Sequence, residues 1–141
     1  MVETHTLLGR TLKNHHKSVT ASRRIVFETL HGQEPLSMQA LVTRCKNKVN
    51  RASIYRTIAL FERLGIVQRL QIGWKYKLEL SSDFNYHHHH LTCARCGIIL
   101  ALPEDKQLES RLQHLAKNLK FYPQDHQIEI RGLCAACHSL Q

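Results

Sequence analysis

Two cysteine pairs, Cys93-Ala94-Arg95-Cys96 and Cys134-Ala135-Ala136-Cys137, stand 37 residues apart. No other feature limits the fold as strongly. Each C-x2-C brings two thiolates to one ion, and four sulfurs at roughly 2.3 Å complete a closed tetrahedral zinc shell. A closed shell is structural, so the chain must return residues 134–137 to the side of residues 93–96. Redox use of a C-x-x-C suits a single pair better than two. The segment just upstream of the first pair is Tyr86-His87-His88-His89-His90-Leu91-Thr92, so four imidazoles run directly into the first knuckle. The start, Met1–Arg10, lacks the apolar region of a signal peptide. The expected compartment is the cytoplasm, where thiols stay reduced and regularly spaced cysteines bind metal before they form disulfides.

Between the knuckles, Leu108, Leu112, Leu115 and Leu119 are spaced i, i+4, i+7, i+11, which predicts an amphipathic helix. Pro103-Glu104-Asp105 opens it, with acidic residues suited to a helix N-terminus. Strand-like runs flank the helix: residues 97–102 before it, and residues 120–123 and 126–132 after it. The order strand, helix, strand, strand predicts a small α/β unit with an antiparallel component. A piece of about 55–60 residues has a marginal core, so it needs a metal or a partner subunit.

The first 80 residues differ in charge. They carry 14 Lys/Arg against 5 Asp/Glu, whereas residues 81–141 carry 6 of each and hold seven of the 11 histidines and four of the five cysteines. Single-sign charge gathered in one half implies a polyanionic partner, with nucleic acid the default. Ser18 to Thr20 read as a helix start, followed by Ile25, Val26 and Leu30 at helical spacing. Gly32 and Pro35 interrupt; Ser37 then caps a second helix with Leu41 and Val42 inward. A third helix should run from Arg51 to Gly65, with Ile54, Ile58, Phe61 and Leu64 on one face. Two short strands follow around Gly73, the second placing Trp74, Tyr76, Leu78 and Leu80 opposite Lys75, Lys77 and Glu79. Three helices and a hairpin make a winged helix-turn-helix. Its third helix offers Arg51, Ser53, Tyr55 and Arg56 to a groove, and Lys75 and Lys77 lie where a wing meets the backbone. Cys45 stands alone and reads as a small semi-buried residue. The whole is an α/β (α+β) chain: a winged helix over 1–80, a hinge and metal-ligand segment over 81–90, and a small α/β domain over 91–141.

Four stretches carry a family resemblance: Val19–Arg24, Ala52–Val67, His87–Gly97 and the terminal C-x2-C. The chain resembles the ferric uptake regulator (Fur) family of metal-dependent repressors over nearly its whole length. The resemblance implies a homodimer in which winged helices bind an inverted repeat of double-stranded DNA and C-terminal α/β domains dimerise. Arg23 falls in the family's T-x-x-R entry to the first long helix and joins the DNA-binding set. A divalent metal, Fe(2+), Zn(2+) or Mn(2+), would act as corepressor beside the structural Zn(2+).

In an extended segment side chains alternate, so His87 and His89 point one way and His88 and His90 the other. One run can therefore feed two metal sites. The bland alternative is an exposed polar loop. By resemblance, His88, His90 and Glu79 form a regulatory site, while His87, His89, Glu109 and His126 form a second. The regulatory shell is incomplete as read, because Ala101 and Pro35-Leu36 stand where relatives often have ligands; His31, Cys45, water or a further group is left to complete it. The second shell, N3O without thiolate, suits Zn(II), Fe(II), Mn(II) or Ni(II). The function expected is metal-responsive repression, not enzymatic. Peroxide sensing is the alternative within the family, and a zinc-dependent hydrolase the alternative outside it, although no H-E-x-x-H motif is present. A zinc-buffering role would leave the basic winged-helix half unexplained.

Overall fold

The computed structural model describes residues 2–72, 75–85, 87–124 and 126–140. The chain forms two compact units, Met1–Tyr86 and His87–Gln141. The first contains helices α1 (Val2–Asn14), α2 (Ala21–Leu30), α3 (Met38–Arg44) and α4 (Arg51–Arg63), then strands β1 (Val67–Ile72) and β2 (Lys75–Leu80). The second contains β3 (His88–Cys93), β4 (Ile99–Pro103), α5 (Lys106–Asn118), β5 (Glu129–Gly132) and a short α6 (Ala135–His138).

Helices α2, α3 and α4 each start where a short polar side chain satisfies an orphan backbone donor. Thr20 accepts from Arg23 N at 3.3 Å, Ser37 from Ala40 N at 3.1 Å and Asn50 from Ser53 N at 2.8 Å. Each cap is worth about 1 kcal/mol. Gly65 ends the α4 region at φ +67°, a conformation that a residue with a Cβ adopts only with strain. The apolar faces then meet. Phe27 of α2 lies edge-on to Phe61 of α4 (6.5 Å, 86°) and to Phe84 (5.7 Å, 79°), with Ile54, Ile58, Leu41 and Leu30 buried around them. Burying each such side chain contributes roughly 1.5–3 kcal/mol.

Helix α1 is an addition to the sequence reading. Leu8 and Leu12 fill the core at 1% and 0% exposure, but a stripe this short, interrupted by Gly9 and polar residues, gave little periodic signal. The hairpin forms as read, antiparallel with Val67 opposite Leu80 and Gln68 opposite Glu79. Leu36 adds a bridge to Leu78 through two backbone hydrogen bonds of 2.9 and 2.7 Å. The turn expected at Gly73 and the inward place expected for Trp74 fall outside the described residues. Strict alternation on β2 fails at its end: Leu78, Glu79 and Leu80 are all buried, so the carboxylate expected on a solvent face is enclosed instead.

In the second unit β3 is the central strand, antiparallel to β4 and parallel to β5. The histidine run read as the end of a hinge therefore opens a sheet, with His88, His89 and His90 paired to Pro103, Leu102 and Ala101. Asp105 caps α5 by accepting from Gln107 N (2.8 Å) and Leu108 N (3.3 Å). Residues 120–123, expected as strand, are not one. Lys120 takes a positive φ of 56°, its N–H bonds to the Lys117 carbonyl, and Phe121 and Tyr122 project outward. The turn that ends α5 uses up the segment before it can extend. The leucine stripe of α5 is formed but left uncovered: no α5 residue is fully buried, and Leu115 is 52% exposed.

Candidate metal centres and nucleic-acid face

The first centre lies where β3 ends and α6 begins. Cys93 and Cys96 bracket the tight turn that joins β3 to β4, closed by Gly97 N to Cys93 O at 2.9 Å. Cys134 is the N-cap residue of α6, and Cys137 sits buried within that helix. Pairing of β5 to β3 carries the second knuckle to the first, so all four sulfurs lie within 4.8 Å of one another. Cys96 and Cys134 Sγ are 3.7 Å apart. Sulfurs tetrahedrally placed at the usual zinc distance are separated by about 3.8 Å, so the donor set fits zinc. The backbone anticipates thiolates. N–H groups of Cys96 and Cys134, helped by that of Arg95, pull the Cys93 thiol down to about 6 against the opposing effect of burial. Cys137 is pushed up to about 12, first by the Cys134 thiol that bonds it and then by burial. Negative charge gathers on Cys93 first, as metal loading requires. Arg95 ties the knuckles together by donating to the Cys137 carbonyl at 3.2 Å.

The second centre is built on one face of β3. His87 and His89 have ring centroids 4.8 Å apart, and His126 lies 4.9 Å from His87 and 5.4 Å from His89. Glu109, in the first turn of α5, faces all three. Its Oε1 is 2.7 Å from His89 Nε2 and 3.4 Å from His87 Nε2, and its Oε2 is 3.0 Å from His126 Nε2. Burial pushes the Glu109 carboxyl up, but the His89 bond and the charges of His126 and His87 outweigh it and hold the group below the usual carboxylate range. Three ring nitrogens aimed at one carboxylate are awkward as a hydrogen-bond set alone; His87 Nε2 is buried without a hydrogen-bond partner. The same atoms suit a divalent cation, for which neutral imidazole and carboxylate are normal donors. All four ligand atoms fall within 4.8 Å of one another.

His88 and His90 lie on the opposite face of β3, with centroids 4.8 Å apart, so the alternation read from the sequence holds. Glu79 belongs to the first unit. There the Gln68 amide, its cross-strand neighbour, donates to Glu79 Oε1 at 2.6 Å. The sequence reading passed over Gln68, although a hairpin centred on residues 73 and 74 pairs positions 68 and 79. Cys45 is fully buried in the first core, its sulfur 3.5 Å from Thr29 Oγ1, and so is not an accessible ligand. His31 is the C-cap residue of α2, half-buried beside Phe27.

The expected groove-reading side of α4 is open. Ile54, Thr57, Ile58 and Phe61 face inward, whereas Arg51, Tyr55 and Arg56 are exposed and Ser53 is half-buried. Arg51 Nη2 donates to Tyr55 Oη at 3.4 Å, and Arg56 Nη2 donates to Ser53 Oγ at 3.1 Å. Arg23 turns back to the Ser18 carbonyl at the start of α2. Lys75 is exposed and Lys77 half-buried on β2. Among the described residues no helix is long and apolar enough to cross a membrane.

Comparison with known proteins places these features in context. The model of the ferric uptake regulator family matches residues 14–131. A ferric uptake regulation protein of Legionella pneumophila is 30% identical over 126 residues, covering 89% of this chain and 79% of its own. The peroxide-responsive repressor PerR of Staphylococcus epidermidis is 35% identical over 104 residues, covering 70% of this chain and 63% of that protein. Among solved structures, the Helicobacter pylori ferric uptake regulator Fur shares the fold with a TM-score of 0.77 at 20% identity, over 96% of this chain and 92% of that one; its structure reveals three functional metal binding sites.

Proposed function

The chain belongs to the ferric uptake regulator family, and from that premise we propose that it is a metal-responsive transcriptional repressor that binds an inverted-repeat operator as a homodimer. One observation carries the reading. A winged helix with an exposed, basic α4 is joined in one chain to a unit holding a histidine-carboxylate donor set distinct from its cysteine cluster. A lone structural protein needs only the cysteines; a regulator needs a second, exchangeable site.

In this reading Cys93, Cys96, Cys134 and Cys137 hold a structural zinc that fixes the second unit. His87, His89, Glu109 and His126 hold a second divalent ion, and His88, His90 and Glu79 are the regulatory ligands that the family resemblance implies. A bound divalent ion supplies fixed positive charge and a preferred ligand geometry. The residues supply the rest: Glu109 draws three imidazoles together, and Gln68 orients the Glu79 carboxylate. Regulation then rests on a differential affinity of the metal for two conformations, of which one presents the reading helices at half-site spacing. Arg23, Arg51, Ser53, Tyr55, Arg56, Lys75 and Lys77 meet the DNA. The uncovered stripe of α5 and the exposed Ile98, Leu100 and Ile130 of the second unit are surface for the partner copy. No catalytic role is assigned.

The test is operator binding to an inverted repeat in the presence of each divalent metal at buffered free concentration. Tightening by at least one metal supports corepression. Equal affinity with and without every metal removes it. A peroxide-responsive reading is favoured by one feature, an Nε2-and-carboxylate set without thiolate. Loss of binding on peroxide treatment of the Fe(II) form, with one peroxide oxygen found on a ligand histidine, would select it.

A further inference from the structure

The reading helix presents two guanidinium forks, and they are held differently. Arg51 is the first residue of α4, directly after the Asn50 cap. Tyr55 follows one turn later on the same exposed face. The Arg51 guanidinium carbon lies 5.6 Å from the centre of the Tyr55 ring, and Nη2 donates to the phenol oxygen at 3.4 Å. Among the described residues no carboxylate pairs with Arg51; Glu62, the one acidic residue of α4, is taken by Arg69 on β1. Arg51 is thus a full positive charge held by a neutral aromatic partner. One Nη2–H goes to that partner, and the remaining N–H donors keep the planar fork open.

The position of this fork decides what it can reach. Residues at the N-terminus of a reading helix approach base edges in the major groove, whereas wing and entry-helix cations meet the backbone. A planar fork is the group that matches the O6 and N7 acceptors of guanine together. The contact with Tyr55 restrains the fork before DNA arrives, which lowers the ordering cost of base recognition. We propose that Arg51 is a specificity-determining residue that reads a guanine edge in each operator half-site, with Tyr55 as its positioning residue. The inference rests on the DNA-binding reading above and names what that face recognises.

The test uses the full-length, metal-loaded protein and a library of randomised DNA duplexes, followed by binding to single duplexes that differ at one base pair. The wild-type protein should enrich a fixed G·C pair in each half-site. Arg51→Ala should lose discrimination at that pair, roughly 5- to 150-fold in the wild type, and keep its other preferences. Arg51→Lys, whose ammonium can still donate to guanine but lacks the planar fork, should discriminate at that pair less than the wild type and more than Arg51→Ala. Tyr55→Phe, with the ring but not the hydroxyl, should weaken discrimination less than Arg51→Ala. Metal content and melting temperature should be unchanged in all three, because both side chains are exposed. If Arg51→Ala keeps every base preference and weakens all duplexes alike, with a salt slope lower by about one, Arg51 is a phosphate contact and the proposal is overturned. A wild-type protein that selects no sequence would overturn both the proposal and the operator-binding function beneath it.

Discussion

His89 and His90 are neighbours on one strand whose replacement by alanine should have opposite consequences. His89 is 1% exposed, and its Nε2 lies 2.7 Å from Glu109 Oε1. Truncation removes a hydrogen bond to a charged group, roughly 1.5–3 kcal/mol, and leaves a buried cavity that costs about 2 kcal/mol more. A unit of this size has only about 3–5 kcal/mol in hand. His89→Ala should therefore bring the second unit close to unfolding when the His87/Glu109/His126 set is metal-free. At 4–8 °C per kcal/mol the melting temperature should fall by about 14–40 °C. His90→Ala leaves the Glu109 cluster intact and should lower it by only a few degrees, while abolishing the metal response of operator binding. Scanning calorimetry with the tetrathiolate zinc kept loaded, paired with operator affinity at rising free Zn(2+), Mn(2+) and Fe(2+), reads both effects. If His89→Ala melts normally but no longer responds to metal, and His90→Ala still responds, the two histidine pairs have the reverse roles.

Other outcomes follow from the same geometry. Cys93→Ser should release zinc to a competing chelator and dissociate the dimer; four ligands sharing about 10–16 kcal/mol implies roughly 2.5–4 kcal/mol lost with one of them. A folded dimer that retains its zinc would contradict the tetrathiolate. Arg56→Ala should weaken operator binding by roughly 1–3 kcal/mol without altering metal content, and normal affinity in a Tyr55→Ala/Arg56→Ala double variant would exclude α4 as the reader. Gln68→Leu removes the amide that donates to the buried Glu79 carboxylate; the first unit should melt lower, metal should tighten operator binding less than in the wild type, and an unchanged metal response would show that Glu79 needs no such orientation.

Much of this architecture is legible because its signals are local. C-x2-C spacing, the Ile54, Ile58 and Phe61 stripe, and the polar helix starts at Thr20 and Ser37 each act within a few residues. The alternation of the histidines follows from strand pleat alone. What escaped depends on distant partners. Helix α1 is stabilised by burying Leu8 and Leu12 in a core made by other helices, not by its own pattern. Glu79 is buried although a polar face was expected, because burial at the end of β2 is set by what packs there and its carboxylate is satisfied by Gln68 on the opposite strand. The α5 stripe announces that something must cover it, but periodicity does not say whether that is the chain itself, and here it is not.

A run of four identical side chains has a consequence for strand alignment. Sliding β3 by one residue would turn His88 and His90 toward Glu109 and still present two imidazoles there, so the histidines cannot by themselves oppose a slip. Elsewhere a slip is penalised because it drives apolar residues into water. Here the penalty must come from the strand's other end, where Leu91, Thr92 and Cys93 pair with Ile130, Arg131 and Gly132 and the Cys93 sulfur is held among three others. The cysteine cluster is thus a frame marker. By fixing one sulfur three residues away, it determines which histidine belongs to which metal, and a chain that lost it would lose the distinction between its two histidine faces before it lost the histidines themselves.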